Sequence, residues 1–226
     1  MLAISTWLWG DKYSVEDVYK LKRGIDRHLQ QPYRFLVMTE RERDWTPGEG
    51  IERHAIKDPE LLAFKGCFVR LRMFDKGWQI NRGLDDRLVC LDLDLIVTGP
   101  LDVLFDRPET FVIWSGANVS NPCPFNGSVM MLRPGHHHEV WNDFSMEAAR
   151  KIKYFEFPDD QGWIAEKLPN AATWPCGRKS GIYAFMKAAW PPGQLTLPEG
   201  TRIVAFPGSR QPKDFTHLKW VRKHWK

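Results

Sequence analysis

The chain has 226 residues, enough for one substantial hydrophobic core and short for two, so a single domain over 1–226 is expected. Its 43% hydrophobic and 27% charged content is that of an ordinary water-soluble protein, and a net charge of +4 is too mild to argue for nucleic-acid binding. No apolar run approaches the ~18 residues needed to span a bilayer.

The opening MLAISTWLWGDKYS lacks the basic start and apolar stretch of a signal peptide. Cysteines 67, 90, 123 and 176 form no C-x-x-C pair, so reduced thiols in a cytoplasmic protein are expected. LAISTWLW (2–9) reads as a first strand, followed by the loop GDKY. Ser14 and Asp17 then have the spacing of a capping box, and Val15, Val18, Leu21, Ile25 and Leu29 recur at helical intervals. RFLVMT (34–39) is a second strand, TPGEG (46–50) a turn, and 61–74 a helix.

The segment RLVCLDLDLIVTGPLDVLF (87–105) raises a sharper question. Residues 88–97 predict one strand buried on both faces, interrupted only by Asp92 and Asp94. On a continuous strand these two side chains point the same way, roughly 6.6 Å apart along the backbone. Two like charges on an apolar face are costly unless something positive compensates them. A divalent cation, manganese or magnesium, is the natural candidate, because hard cations take carboxylate oxygens and leave positions for substrate phosphates. Taken alone, the two could also be salt-bridged structural carboxylates.

Strands at 110–115 and 127–132 and helices at 138–152 and 160–168 complete the reading. The alternation predicts an α/β fold with a mostly parallel central sheet flanked by helices, and ligands at the carboxyl ends of its strands. His136, His137 and His138 read as a solvated helix start. The basic, aromatic end HLKWVRKHWK suggests a solvated helix face with weak contact to a membrane surface, placing the protein in the cytoplasm or at the inner membrane face.

Five stretches together resemble the GT-A nucleotide-sugar glycosyltransferases, most of all glycosyltransferase family 8, which includes glycogenin and bacterial lipopolysaccharide galactosyltransferases. They are ISTWLWGDKYS, VRLRMF before the Asp-x-Asp strand, FNGSVMMLRPG (125–135), DDQGWIAEKLP and RIVAFPGSRQPK (202–213). The resemblance covers most of the chain. It implies Asp92 and Asp94 as metal ligands for Mn2+ or Mg2+, and Thr6, Trp7, Tyr13 and Arg70 as nucleotide or phosphate contacts. Asn126, Gly127 and Ser128 would touch the donor sugar, Asp160 and Gln161 would face its reacting carbon, and Gly208, Arg210 and Lys213 would grip the diphosphate.

Two departures from the family stand out. Ala205 and Pro207 occupy places where relatives carry a metal-binding histidine, which leaves His217, His224 or water to complete the coordination. Gln211 stands near the family's loop lysine. The function implied is transfer of a sugar, with retention, from a nucleotide diphosphate donor to a glycan, lipid-linked or protein acceptor, a UDP-sugar being the expected donor. Two rivals remain. One is a phosphatase of the haloacid dehalogenase type, which shares the Asp-x-Asp strand but continues D-x-D-G-T where this chain has Leu95 and Ile96. The other is a non-catalytic nucleotide-sugar binder.

Overall fold

The computed structural model describes residues 1–64, 66–118, 121–154 and 159–226. In chain order the elements are β1 (Leu2–Leu8), α1 (Val15–His28), β2 (Tyr33–Thr39), β3 (Ile51–Ala55) and α2 (Pro59–Leu62). A 3-10 helix (Phe68–Phe74) leads into α3 (Lys76–Ile80), β4 (Leu88–Leu91), β5 (Leu95–Val97), α4 (Asp102–Phe105), β6 (Phe111–Ser115) and β7 (Phe125–Leu132). Then come α5 (Glu139–Asn142), α6 (Met146–Ala149), α7 (Asp160–Lys167), β8 (Ala172–Pro175), β9 (Ile182–Ala184) and β10 (Ile203–Ala205). A second 3-10 helix (Pro212–Phe215) and α8 (Lys219–His224) close the described chain.

Seven strands form one sheet in the order β3-β2-β1-β4-β7-β6-β8, and β5, β10 and β9 form a small second sheet. The half β3-β2-β1-β4 is parallel throughout, whereas β7 runs antiparallel to both β4 and β6. One core cluster lies on each face of the large sheet, and a third, rich in aromatics, covers the small sheet. The fold class is therefore as the alternation of elements predicts, α/β with helices flanking a largely parallel sheet.

Helix α1 forms for the reasons visible in its sequence. Ser14 accepts from the Asp17 amide while the Asp17 carboxylate accepts from the Ser14 amide, and Val18, Leu21 and Ile25 turn to the core. Gly24 lets the helix lie close to β5, since a Cβ there would sit 3.3 Å from Val97 Cβ.

Three expectations need correction. Residues 88–97 are two strands in two sheets, with 92–94 in a turn between them, so Asp92 and Asp94 do not share the face of one strand. The 61–74 helix is a four-residue α2 and a separate 3-10 helix, parted by Gly66 at φ +116, a value that L side chains rarely adopt. The 138–152 helix is split into α5 and α6, because Ser145 caps a new start by accepting from the Ala148 amide at 3.0 Å. Edge strand β3 was missed since only its polar sequence IERHA marks it.

No helix among the described residues is long and apolar enough to cross a membrane. The C-terminal aromatics are not free for a membrane surface either. Trp220 and Trp225 are buried, Lys20 Nζ lies 3.7 Å from the Trp225 ring centroid, and Trp220 Nε1 donates to Leu195 O.

Candidate active site

The turn that breaks the Asp-x-Asp segment is held from both sides. The Asp92 amide donates to Ser128 O at 3.1 Å, prolonging the β4–β7 ladder, and the Phe206 amide donates to Asp94 O at 3.1 Å, prolonging β5–β10. The two carboxylates thus stand at the carboxyl end of β4, where the large sheet hands over to the small one. From the loop after β1, Tyr13 OH donates to Asp94 Oδ2 at 2.9 Å. Asp94 Oδ1 is buried and makes no hydrogen bond among the described residues.

Arg70, from the first 3-10 helix, is the hub. Only 3% exposed, its Nη1 pairs with Asp92 Oδ1 and donates to Gly127 O at 3.1 Å, while Nη2 lies 2.9 and 2.7 Å from the two oxygens of Asp160. Asp160 is fully buried at the start of α7, with Asp159 as N-cap. Gly127 is the residue this arrangement requires. A Cβ there would fall 2.5 Å from Arg70 Nη2 and 3.2 Å from Asp160 Oδ1. Its amide donates to Gln161 Oε1 at 3.2 Å, so β7 and α7 are tied at the site. Asn126 Oδ1 accepts from the Ser128 amide, and Asn126 Nδ2 donates to Asn118 Oδ1 at 3.2 Å.

The electrostatics follow from burial. Burial first, then the charge of Asp92, pushes the Asp94 carboxyl up to about 7. Burial also raises Asp92, with Arg70 opposing it. Burial and then Asp160 raise Asp159 well above the carboxylate range. Burial works against the Arg70 charge, but Asp160 and Asp92 outweigh it and hold its proton more firmly than usual. Burial, followed by Asp94 and Asp92, raises the Tyr13 phenol, which keeps it a donor.

An unpartnered buried carboxylate oxygen beside a second carboxylate is a donor set that suits a hard divalent cation, so Asp92 and Asp94 fit Mn2+ or Mg2+. Cys67, Asp159 and Asp160 also bring ligand atoms within 4.8 Å of one another. There, however, burial raises the Cys67 thiol, away from the thiolate a metal needs.

Of the two histidines named above, His224 stands away from the carboxylates. His224 stacks on His28, with ring centroids 5.9 Å apart. That is the far end of α1, a helix of 14 residues and so ~21 Å long, whose near end follows Tyr13. The His217 ring packs against Phe215. Ala205 is buried in β10, paired with Leu95 and Ala184.

The structure thus gathers Tyr13, Arg70, Asp92, Asp94, Asn126, Gly127, Ser128, Asp160 and Gln161. Thr6 is fully buried within β1, and Trp7 turns away to stack on Trp78 at 6.0 Å. Gly208 follows β10, and Arg210 Nη1 donates to Phe185 O at 3.1 Å. Lys213 is exposed on the second 3-10 helix. Sequence reasoning missed Asn118, which braces Asn126 and carries no local signal. It also missed Lys12, whose charge bears on both Asp92 and Asp94 and which stands in the quoted loop GDKY.

No protein-family model matches the sequence, and no curated protein matches it. Solved structures do. An active-site glutamine-to-glutamate mutant of LgtC superposes with a TM-score of 0.62 at 13% identity, covering 96% of this chain and 94% of that one. Galactosyltransferase LgtC in complex with donor and acceptor sugar analogues gives 0.61 at 12% identity, over 99% and 96%. Glycosyltransferase GlyE of Streptococcus pneumoniae TIGR4 gives 0.63 at 12% identity, over 99% of this chain and 63% of that one. The chain has the GT-A fold of these glycosyltransferases. At such identities the likeness is one of fold.

Proposed function

We propose that the protein is a metal-dependent glycosyltransferase of the family 8 type, moving a sugar from a UDP-sugar donor to an acceptor hydroxyl with retention of configuration. The observation that carries this reading is the convergence of Asp92, Asp94, Arg70, Asp160 and Gln161 where β4, β5, β7 and α7 meet. That junction lies at the carboxyl ends of parallel strands, the place where open α/β sheets bind ligands. Two LgtC structures support it: one holds donor and acceptor sugar analogues, and another carries a changed active-site glutamine. Gln161 is the glutamine that this chain holds at its own site.

Asp92 and Asp94 would hold Mn2+ or Mg2+, and such an ion, when bound, neutralises charge developing on a departing diphosphate. Asp94 offers its unpartnered Oδ1, while Tyr13 fixes the other oxygen. Arg70 is a positioning residue. Its Nη1 and Nη2 are engaged by Asp92, Asp160 and Gly127, so it orients those groups. Asp160 is likewise a poor nucleophile, being fully buried and ion-paired with Arg70. This favours an oxocarbenium-like transition state on the leaving-group face over a covalent intermediate. Asn126, Ser128 and Gln161 would line the sugar, and Gly208, Arg210 and Lys213 would close over the diphosphate.

The test is UDP release from a panel of UDP-sugars with manganese, by the native protein and by Asp94→Asn and Gln161→Ala. Metal-dependent release lost in both variants is expected. Equal release by the native protein and Asp94→Asn would sink the reading, as would hydrolysis of a generic aryl phosphate instead.

A further inference from the structure

A cavity of different character abuts the first 3-10 helix at Arg72. About 510 Å³ in volume, it is bounded by Trp7 of β1, by the β3 end from Arg53 to Asp58, by Arg72, and by Trp78 and Arg82 around α3. It exists because β3 is the edge strand and the chain passes directly from it to the short α2. Its volume lies within the range of small-molecule sites.

The charges on its wall do not balance locally. Both wall carboxylates, Asp58 and Asp75, are engaged by Arg72, whose Nε lies 2.9 Å from Asp58 Oδ1 and Nη1 2.7 Å from Asp75 Oδ2. Asp75 also caps α3, accepting from the Gly77 amide at 2.8 Å. Three further wall cations lack a close acid among the described residues. Lys57 and Arg82 form no ion pair, and Arg53 reaches only the exposed Glu42 at 3.9 Å. Arg82 lies over the Trp78 ring, 4.1 Å from its centroid, and Trp78 stacks on Trp7. Burial lowers the proton affinity of Arg82, and Asp58 and Asp75, both engaged by Arg72, offset this only in part.

The hydrogen-bond inventory points the same way. Trp7 Nε1, Arg82 Nε and His54 Nε2 are buried and make no hydrogen bond among the described residues, and Trp7 is only 5% exposed. Tryptophan and arginine nitrogens donate and never accept. A wall with spare donors and spare positive charge, and with its acids already engaged, suits a ligand rich in acceptor oxygens. The indole pair adds a flat apolar surface for a sugar ring.

We propose that this cavity binds a small phosphorylated sugar, with Lys57, Arg82 and Arg53 on the phosphate and Trp78 beside the ring. None of its lining residues belongs to the Asp92–Asp94 turn. It shares two elements with it, the first 3-10 helix and β1.

Calorimetric titration with a hexose 6-phosphate, inorganic phosphate and the neutral hexose tests this, read together with tryptophan fluorescence. The hexose phosphate should bind and perturb the Trp7–Trp78 emission, inorganic phosphate should bind more weakly, and neutral hexose should not bind. Lys57→Glu alters an exposed residue and should fold normally, and it and Arg82→Gln should each weaken binding about tenfold, one charge-assisted hydrogen bond being worth that much. Asp94→Asn should bind the hexose phosphate as the native protein does, whether or not the protein transfers sugar. Absence of binding, equal binding of the neutral hexose, or native affinity in Lys57→Glu would overturn the proposal. So would loss of binding in Asp94→Asn, since the ligand would then sit at the other site.

Discussion

Replacing Arg70 by methionine keeps much of the side-chain volume but removes the charge between Asp92 and Asp160. Both carboxylates would then face each other with their cation gone, in a place where Asp160 is fully buried. Breaking a buried ion pair from one side costs about 3–5 kcal/mol. For a chain of this size, 1 kcal/mol shifts Tm by roughly 2–4 °C, so Tm should fall by about 6–20 °C. Urea denaturation followed by circular dichroism gives the free energy, and a cycle with Asp160→Asn isolates the pair. Because the second change removes the stranded charge, Arg70→Met/Asp160→Asn should recover much of the loss. A loss below about 1 kcal/mol for Arg70→Met, the value of an exposed pair, would refute the picture of a buried hub.

Asp94 has a folded pKa of about 7, above its ordinary value, so the metal-free fold holds this proton more tightly than the unfolded chain does. Its contribution is complete below about pH 4 and is lost as pH rises through 7; without metal, Asp94→Asn should therefore be more stable than the native protein at pH 8, with the gap closing by pH 4 in thermal melts. Gly127→Ala should cost stability and abolish donor hydrolysis, because its Cβ would lie 2.5 Å from Arg70 Nη2; a fully active alanine variant would show that β7 gives way easily. Arg210→Ala/Lys213→Ala should weaken UDP far more than uridine in competition titrations, and equal losses would mean that the loop after β10 does not reach the phosphates.

Much of this was legible from side-chain chemistry read locally. Ser14, Asp17 and the helical spacing of Val18, Leu21 and Ile25 gave α1 with its cap, since a helix start depends on residues three or four apart. Asp92, Asp94, Asn126, Gly127, Asp160 and Gln161 were named from short local motifs, and the fold brings these segments together around Arg70 and Gly127. The ion pairs of Arg70 were not legible. Its partners lie 22 and 90 residues away, and nothing local distinguishes a buried hub from a phosphate contact. The break between β4 and β5 was hidden for a related reason. LDLDLIV keeps its apolar residues buried on both sides of the turn, so the pattern reads as one strand while hydrogen bonds to Ser128 and Phe206 send it into two sheets. The small sheet escaped because β9 and β10 are three residues each and meet only through distant pairing.

In the proposed function, Asp92 and Asp94 form a metal-assisted site for the diphosphate of a nucleotide sugar. Calorimetric titration of UDP into the protein, with and without manganese, tests it most directly when run beside Asp94→Asn. Manganese should tighten UDP binding to the native protein at pH 8 and leave binding to the variant unchanged. Identical UDP affinity with and without manganese in the native protein would contradict it.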